Sequence, residues 1–338
     1  MLNNQDFAQS RAKSLEQSTT GQVLSFPSQL ANPQTRPNQY EQARQLLQAT
    51  VAKIDGAYAL ATIRAYRSNF EFFIRYCEEC NLKPLPCSPQ TLASYIAYLS
   101  TRHLKSASIR LASVAVAAIH RFNHMADPSK DPDVILELRR MFRKLGRHQR
   151  QAAAINKEIL EKMIAVTDKT LRGYRDRALL LTAYDSLCRR SELAALRIED
   201  IELPRTGNGV QIRLRKSKTD QDGDGKWINL SERTYQAIKA WFQISKINSG
   251  FVFRGITRHD TPIEDIEGAQ INRIYKHLAS KAKLDYQLVK NISGHSLRVG
   301  SAQDLLIEGV SLPNIMNRGR WSKVDTVMRY IEGSNAHS

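Results

Sequence analysis

The stretch VQIRLRKSKTDQDGDGKWINL, residues 210–230, holds the clearest strand pattern of the chain. Apolar and polar residues alternate over 210–215, Gly223 and Gly225 predict a reversal, and residues 226–230 return as a second strand. On both sides of this hairpin the apolar residues have the spacing of amphipathic helices. A Rossmann or TIM architecture would need further strands. We therefore predict a mainly α fold with a small β-hairpin or sheet.

Helical patterns continue outward from the hairpin in both directions. Polar or turn-forming residues separate successive apolar segments, so each segment reads as a helix of ordinary length. We predict helices over 157–166, 172–186, 189–197, 231–246, 265–281, 296–308, 312–317 and 323–331. Residues 157–338 are therefore interpreted as one domain, which contains the hairpin.

The segment from 39 to 147 is predicted to be a separate, wholly helical domain. Its helices are expected over 40–53, 58–79, 88–102, 106–126 and 132–145. Ser88 followed by Pro89 has the form of an N-cap and a first helical residue. Residues 1–38 are rich in Asn, Gln, Ser and Thr, which predicts a flexible polar arm. Residues 148–156 are interpreted as the linker between the two domains.

The charge balance favours an acidic partner. The 338 residues contain 50 Lys and Arg against 33 Asp and Glu, a formal net charge of +17. Residues 139–150 hold six basic side chains and no acidic one, which suits either phosphate contact or a solvated helix end. The longest apolar run, Leu111–Ile119, is much shorter than the roughly 20 residues that span a bilayer. With no secretory signal pattern at the start, we expect a cytoplasmic protein without a membrane partner.

The cysteines are predicted to be buried or incidental thiols. Cys77 and Cys80 have metal-ligand spacing and Cys87 is near, but no second close pair of Cys or His follows. The segment NFEFFIRYCEEC, residues 69–80, has a helical periodicity that places Cys77 among core residues. The sequence also shows no glycine-rich phosphate loop. We therefore predict neither a metal nor a nucleotide cofactor.

Residues able to carry chemistry concentrate in the second half of the chain. SGHSLR, residues 293–298, puts His295 and Arg298 on one face of a helix, and Arg189 and Glu192 have the same spacing. Each has an ordinary explanation when taken alone, such as a surface ion pair or a histidine near a helix start. A tryptophan and a tyrosine near the end of the chain could likewise be core and surface residues. Only their combination suggests a catalytic site.

Together these segments resemble the tyrosine recombinases, also called phage integrases, and within that family the Cre-like branch. SGHSLRVG at 293–300 is similar to the signature of that branch, and AYDSLCRRSELAAL at 183–196 is similar to the segment that carries the family's first catalytic arginine. The spacing from His295 to Trp321 and Tyr330 also matches. The resemblance covers about 40–332. It implies a C-shaped DNA clamp with a helical core-binding domain over 39–147 and a catalytic domain over 157–338.

The resemblance implies a catalytic role for several residues. Tyr330 would attack a DNA phosphodiester and form a 3′-phosphotyrosine, while Arg189 and Arg298 neutralise the phosphate oxygens. His295 would move the proton of the nucleophile, and Lys218 would protonate the leaving 5′-oxygen.

Two further members and one alternative complete this set. Trp321 would donate its indole N–H to the phosphate, and Glu192 would orient His295 or an arginine. Lys216 points to the same side of the predicted strand as Lys218 and stays open as the general acid. The implied catalytic set is Arg189, Glu192, Lys218, His295, Arg298, Trp321 and Tyr330.

The resemblance also implies the partners. We expect double-stranded DNA with inverted-repeat target sites, bound by a homotetramer on two sites that exchanges strands through a Holliday junction. Candidate DNA contacts, some on predicted groove-facing helices and others in the arginine-rich stretch, are Arg64, Arg67, Lys105, Arg110, Arg139, Arg140, Arg143, Lys144, Gln270, Asn272 and Arg273. Solvated surface charge is the alternative for the basic members of this list.

Two classes of function fit the basic charge. One is a site-specific recombinase, and the other is a non-catalytic basic protein that binds and organises DNA. A binder has no need of a tyrosine accompanied by two arginines, a histidine and a lysine, so the sequence favours the enzyme. Type IB topoisomerases and telomere resolvases share this chemistry, but the length and the Cre-like motifs favour a recombinase.

Overall fold

The computed structural model describes residues 37–147, 151–202, 210–215 and 225–331. The chain divides into two compact units, Met1–Gln149 and Arg150–Ser338, and each has its own hydrophobic core. Nearly all of the predicted arm at 1–38, most of the turn of the hairpin and the last seven residues lie outside the described residues. The two units are described separately below.

The described part of the first unit is helical throughout. Helix α1 spans Pro37–Lys53, α2 Leu60–Glu79, α3 Pro89–Ser100, α4 Ser106–Phe122 and α5 Pro132–Leu145, with a 3-10 turn at Pro128–Lys130. The five predicted helices are confirmed. The largest error is at the end of α4, which stops four residues before its predicted end because His124 adopts a left-handed φ of 58°.

Aromatic residues of α2 fill the core of the first unit. Phe70 and Phe73 are fully buried, and the ring centroid of Phe73 lies 5.0 Å from that of Tyr95 on α3. Ser88 caps α3 as predicted, because its hydroxyl accepts the Thr91 backbone N–H at 3.1 Å. Cys77 is buried in this core, which confirms its prediction as a core thiol. Within the described ranges, no group of His, Cys, Asp and Glu could hold a metal ion.

The second unit contains nine described α-helices and a three-stranded sheet. The helices are α6 Lys157–Ala165, α7 Leu171–Ser186, α8 Arg190–Ala195, α9 Glu232–Ser245, α10 Gly268–Lys281, α11 Tyr286–Asn291, α12 Ser296–Ile307, α13 Leu312–Gly319 and α14 Val324–Ile331. The strands are β1 Ile201–Glu202, β2 Val210–Leu214 and β3 Lys226–Leu230. Eight of these helices were predicted, and α11 was not. A mainly α fold with a small sheet is confirmed.

The sheet is larger than the predicted hairpin by one strand. β2 pairs antiparallel with β3, so that Val210 lies opposite Leu230 and Leu214 opposite Lys226. β1 adds to the other edge of β2, with Ile201 opposite Ile212. The sequence pattern missed β1 because two residues are too short to show an alternation of apolar and polar side chains.

Helix α7 organises the second unit because both α9 and α12 pack against it. Trp241 of α9 is fully buried beside it, and its indole N–H donates to the Val252 carbonyl at 2.7 Å. The C-terminal end of α7 leads directly into a smaller core cluster that includes Leu187, Ile315 and Trp321. Side chains from α8, α12, α13 and α14 therefore meet beside the end of α7. In the part of the chain that the structure describes, no helix is long and apolar enough to cross a membrane.

Candidate active site

The loop between α7 and α8 holds Arg189 against Glu192. Leu187 ends α7 in a left-handed conformation, with φ of 49°, and Arg189 stands as the N-cap residue of α8. The Arg189 backbone N–H donates to Glu192 Oε2 at 2.8 Å, and its Nη1 donates to Oε1 at 2.6 Å. The Glu192 side chain is 4% exposed and that of Arg189 17%, so water screens this ion pair much less than it screens a pair on the surface. The carboxylate therefore fixes the guanidinium of Arg189.

A third charged residue, Arg320, meets the same carboxylate. Arg320 is buried at the end of α13, and its Nη2 donates to Glu192 Oε2 at 2.9 Å. Burial by itself would raise the pKa of Glu192, but the charge of Arg320 and the hydrogen bonds from Arg189 keep this pKa below its ordinary value. Glu192 is therefore ionised at neutral pH. The sequence analysis did not select Arg320, although it directly precedes Trp321.

Arg298 is buried on the first turn of α12 and is held by two backbone carbonyls. Its Nη1 donates to the Leu187 carbonyl and its Nη2 to the Gly319 carbonyl. Its guanidinium carbon lies 4.2 Å from the centroid of the Trp321 ring. Burial, and then the charges of Arg189 and Arg320, lower the pKa of Arg298 to about 10. Arg298 therefore remains a cation at neutral pH.

Trp321 connects Arg298 to Tyr330. Its ring centroid lies 5.6 Å from that of Tyr330, with 44° between the planes. A Cβ on Gly319 would come within 1.8 Å of the indole, so the Trp321 ring can pack against residue 319 only if that residue is glycine. The backbone carbonyl of Tyr330 accepts a hydrogen bond from Gln303 Nε2 at 2.8 Å, which ties α14 to α12. The half-buried Tyr330 ring therefore lies next to Trp321, which in turn packs against Arg298.

His295 stands at the start of α12 and is exposed to solvent. Desolvation by the neighbouring protein, followed by the charges of Arg298, Arg189 and Arg190, lowers its pKa. The imidazole is therefore neutral near pH 7, and one ring nitrogen is free of a proton. A neutral imidazole in this surrounding can accept a proton, which is the chemistry expected of it.

The second unit thus brings six of the seven predicted catalytic residues into one region. The guanidiniums of Arg189 and Arg298 are both cationic, and both are tied to the loop between α7 and α8, the first as part of it and the second through the Leu187 carbonyl. Lys218, the seventh, and the alternative Lys216 lie outside the described residues. The arrangement can stabilise a doubly coordinated anion beside a tyrosine hydroxyl.

The predicted DNA contacts in the first unit are solvent-exposed. Arg64 and Arg67 lie on α2, and Lys105 and Arg110 lie immediately before and within α4. The other four lie on the last two turns of α5 and are exposed as well: Arg139, Arg140, Arg143 and Lys144. Arg140 pairs with Glu137 at 2.9 Å while 69% of its side chain remains exposed. Exposure leaves all eight cations accessible to a polyanion.

The three candidates on α10 differ in their exposure. Arg273 is exposed and Gln270 is half-buried. Asn272 is half-buried, and its Oδ1 is buried without a hydrogen-bond partner among the described residues. A Cβ on Gly294 would lie 2.6 Å from that oxygen, so the Asn272 amide packs against the backbone just before His295. Arg273 is therefore the most accessible of the three.

Known proteins are similar to this chain in sequence. A model of the phage integrase family matches residues 154–337. The integrase/recombinase xerD homolog of Selenomonas ruminantium is 31% identical over 301 residues, which cover 84% of this chain and 84% of the relative. Recombinase cre of Escherichia phage P1 is 27% identical over 280 residues, covering 78% of this chain and 81% of that protein.

Solved structures show the same fold at low sequence identity. XerH site-specific recombinase bound to palindromic difH substrate, in a post-cleavage complex, matches with a TM-score of 0.59 and 16% identity over 87% of this chain and 82% of that one. A lambda integrase dimer bound to a COC′ core site matches with a TM-score of 0.55 and 13% identity over 98% of this chain and 88% of that one. The architecture is therefore shared well beyond recognisable sequence similarity.

Proposed function

The chain belongs to the phage integrase family and is a site-specific DNA recombinase, and we propose that Tyr330 is its nucleophile and Arg189 and Arg298 its phosphate-binding cations. One observation carries this assignment. Arg298 lies over the Trp321 ring, and Trp321 contacts Tyr330, while the loop that binds Arg298 also carries Arg189. The assignment is supported because the Tyr330 ring and two cations already held by protein atoms belong to one cluster of contacts.

The cleavage step transfers one phosphoryl bond. The Tyr330 oxygen attacks the phosphorus of a DNA phosphodiester, the bond from phosphorus to the 5′-oxygen breaks, and the products are a 3′-phosphotyrosine and a free 5′-hydroxyl. Negative charge develops on the nonbridging oxygens, where the guanidiniums of Arg189 and Arg298 neutralise it. Attack by the 5′-hydroxyl of another strand reverses the step and rejoins the DNA. The bond energy is kept in the phosphotyrosine, so rejoining consumes no nucleotide.

Two proton transfers accompany this step. We propose that neutral His295 takes up the proton of the Tyr330 hydroxyl, directly or through water, since partial desolvation by the neighbouring protein and nearby cations hold its pKa low. Lys218 is proposed as the general acid that protonates the leaving 5′-oxygen, with Lys216 as the alternative. Trp321 would donate its indole N–H to a phosphate oxygen. Glu192 would act indirectly, because its carboxylate binds Arg189 and not DNA.

We further propose that the first unit binds the duplex through the exposed cations of α2 and α4. Arg64, Arg67, Lys105 and Arg110 provide charge for the phosphate backbone, and Arg273 of α10 provides it from the second unit. The target would be an inverted repeat, with a homotetramer acting on two paired sites through a Holliday junction. The palindromic substrate of XerH and the dimer of lambda integrase support a symmetric target. The enzyme would work on DNA in the cytoplasm.

The test of this function is the capture of protein-linked DNA ends. Duplexes that carry the flanks of the gene, together with a random-sequence duplex library, are incubated with the protein and then denatured with detergent. We expect one set of related sequences to become linked to protein at their 3′ ends, and two such sites on one molecule to be recombined. Binding without any linked ends would indicate a non-catalytic DNA-binding protein. Relaxation of any supercoiled plasmid, without preferred sequences, would indicate a topoisomerase.

The arginine-rich end of α5 makes a separate prediction about affinity. Each neutralised phosphate contributes about 0.9 to the slope of log K against log salt. We replace four cations together with glutamine, namely Arg139, Arg140, Arg143 and Lys144. The slope for nonspecific duplex should become shallower by about 2 to 3.6, with Arg140 contributing least because it pairs with Glu137. Fluorescence anisotropy over a range of salt concentrations measures it.

The control for this experiment removes the same charge elsewhere. Four exposed lysines of the second unit are replaced with glutamine in a separate variant, namely Lys162, Lys169, Lys239 and Lys246. The two variants have equal net charge, so a difference between their slopes reports contact rather than overall charge. An unchanged slope for the α5 variant would mean that these cations face solvent in the complex.

A further inference from the structure

Arg320 is buried behind the proposed phosphate site and is unused by the proposed chemistry. Its side chain is 5% exposed, compared with 17% for Arg189. It occupies the residue that ends α13 with a left-handed φ of 58°, a conformation that non-glycine residues seldom adopt. One of its terminal nitrogens, Nη1, donates to the carbonyls of Ser186 and Arg318 at 3.2 and 3.1 Å. Arg320 is therefore tied to the end of α7.

The other terminal nitrogen of Arg320 reaches the loop between α7 and α8. Nη2 donates to the Leu187 carbonyl at 3.2 Å and to Glu192 Oε2 at 2.9 Å, and it lies 3.5 Å from the sulfur of Cys188. Both terminal nitrogens of Arg320 are therefore occupied by acceptors within the protein. Arg320 thus has neither the exposure nor the free terminal nitrogens of a residue that binds DNA phosphate directly.

On the basis of the proposed function, we propose that Arg320 is a positioning residue that holds Glu192 and the loop from Ser186 to Arg189, so that Arg189 and Arg298 meet the phosphate fully charged and correctly placed. Two sets of contacts lead to this inference. The first runs through the Glu192 carboxylate to Arg189. The second runs through the Leu187 carbonyl to Arg298.

The Glu192 carboxylate would neutralise Arg189 if it had no other counter-ion. Arg189 donates to both carboxylate oxygens, and Arg320 donates to Oε2. Two arginines around one carboxylate leave a net positive charge, which is what a phosphate dianion in the transition state requires. Arg320 therefore lets Glu192 orient Arg189 without cancelling its charge.

The Leu187 carbonyl links Arg320 to Arg298. It accepts from Arg298 Nη1 and from Arg320 Nη2. Leu187 holds a left-handed conformation that leucine rarely adopts, so surrounding groups must hold the loop in place. Two guanidiniums on one carbonyl do so, that of Arg298 from α12 and that of Arg320 from the residue after α13.

Stability alone explains Arg320 poorly. A buried ion pair is often no more stabilising than a well-packed apolar pair of the same volume. The Nε of Arg320 is also buried and has no hydrogen-bond partner among the described residues, which costs further free energy. A role in placing other charged groups accounts for a buried cation at this position.

The decisive variant is Arg320→Met, which keeps an unbranched apolar side chain at this position and removes the charged guanidinium. Burial raises the pKa of Glu192, and the charge of Arg320 is the largest effect that opposes it, so the pKa of Glu192 should rise when this charge is removed. A larger fraction of Glu192 is then protonated at the acidic end of the range, which weakens its contacts with Arg189. The other charged or titratable groups facing Glu192 are Arg189, Cys188, Arg298 and His295, and all remain. The rate relative to the parent should therefore increase with pH.

We measure single-turnover cleavage of a captured duplex by the full chain at saturating protein, from about pH 5.5 to 8.5. Arg320→Met should be slower by on the order of 10–100-fold at the acidic end and should recover part of this loss at the alkaline end. Arg320→Lys retains a cation for Glu192 but loses the forked contacts, so it should be slower with the pH profile of the parent. Arg318→Met removes an exposed cation two residues away and should keep the parent's profile.

The double variant Arg320→Met/Glu192→Gln separates positioning from folding. It removes both buried charges, so the chain should be at least as stable as Arg320→Met in thermal unfolding. Its cleavage should be slow, and the added pH dependence should disappear because no carboxylate remains to titrate. An Arg320→Met protein that is folded, cleaves at the parent's rate and has the parent's profile would overturn the inference and leave the proposed function intact.

Failure of the proposed function itself gives a different result. In that case the parent protein forms no linked DNA with any duplex, and the positioning role proposed for Arg320 is refuted together with the proposed function. Cleavage by the parent that is lost equally at every pH in Arg320→Met, and that is unaffected by Glu192→Gln, would also refute the inference. It would show that Arg320 acts independently of Glu192.

Discussion

Tyr330→Phe is expected to abolish the covalent protein–DNA complex and to leave DNA binding unchanged. The substitution removes one oxygen atom, the proposed nucleophile, and keeps the ring that lies 5.6 Å from Trp321. No other group of the site replaces a tyrosine oxygen as attacking atom, so the loss should be complete rather than partial. Denaturing gels of DNA labelled at the 5′ end of the cleaved strand measure the adduct, because that fragment keeps the 3′-phosphotyrosine, and gel shifts measure binding.

The matched control for this variant is Tyr286→Phe. Tyr286 is the other tyrosine to consider near the end of the chain, and it lies on α11 with 71% of its surface exposed. Its replacement should leave the adduct intact. An adduct that persists in Tyr330→Phe and is lost in Tyr286→Phe would transfer the nucleophile to α11. A Tyr330→Phe protein that fails to bind DNA would indicate a structural effect, which thermal unfolding would reveal.

Local signals in the sequence predicted the helices well. Helix α5 begins and ends at the predicted residues because Asp131 caps it, with Oδ1 accepting the Asp133 backbone N–H at 2.9 Å, and because Gly146 ends it with a φ of 75°. These signals lie within a few residues of each helix end. β1 and α11 carry too few residues for a periodic pattern, and their positions depend on neighbours elsewhere in the unit.

The catalytic set was predicted from a family resemblance, whereas Arg320 was missed for a physical reason. Arg320 and Glu192 are 128 residues apart in the chain, and only the packing of α13 against the α7 end brings them together. The sequence carries one weak signal, an arginine between a glycine and a tryptophan shortly after the predicted helix at 312–317. Such a position often requires a left-handed residue, and an arginine there suggests that its side chain has a specific partner.

The same limit applies to the three candidate DNA contacts on α10, which the sequence alone could not rank. Asn272 and Arg273 are adjacent, yet Asn272 packs against Gly294 while Arg273 is exposed. Helical periodicity gives the face of a residue on its own helix. It does not show which face another loop covers, so the DNA contacts on α10 could be proposed only as a group.

The second large effect is expected for the general acid. Its size should depend on the leaving group of the DNA substrate. If Lys218 protonates the departing 5′-oxygen, Lys218→Ala should cleave ordinary DNA at least about 10²-fold more slowly than the parent. A duplex whose bridging 5′-oxygen is replaced by sulfur releases a thiolate, and a thiol is far more acidic than an alcohol. That substrate needs no proton donor, so Lys218→Ala should cleave it nearly as fast as the parent.

The two arginines should behave in the opposite way, which makes the sulfur substrate a test of mechanism. Arg189→Ala and Arg298→Ala should stay slow on both duplexes, because charge on the nonbridging oxygens still needs neutralising whichever atom leaves. Lys216→Ala is the matched control, since Lys216 is two residues from Lys218 on the same predicted strand. Rescue of the Lys216 variant alone would move the acid to that residue. If neither lysine variant is slow on ordinary DNA, or neither is rescued by sulfur, then protonation of the leaving oxygen does not depend on a lysine of this segment.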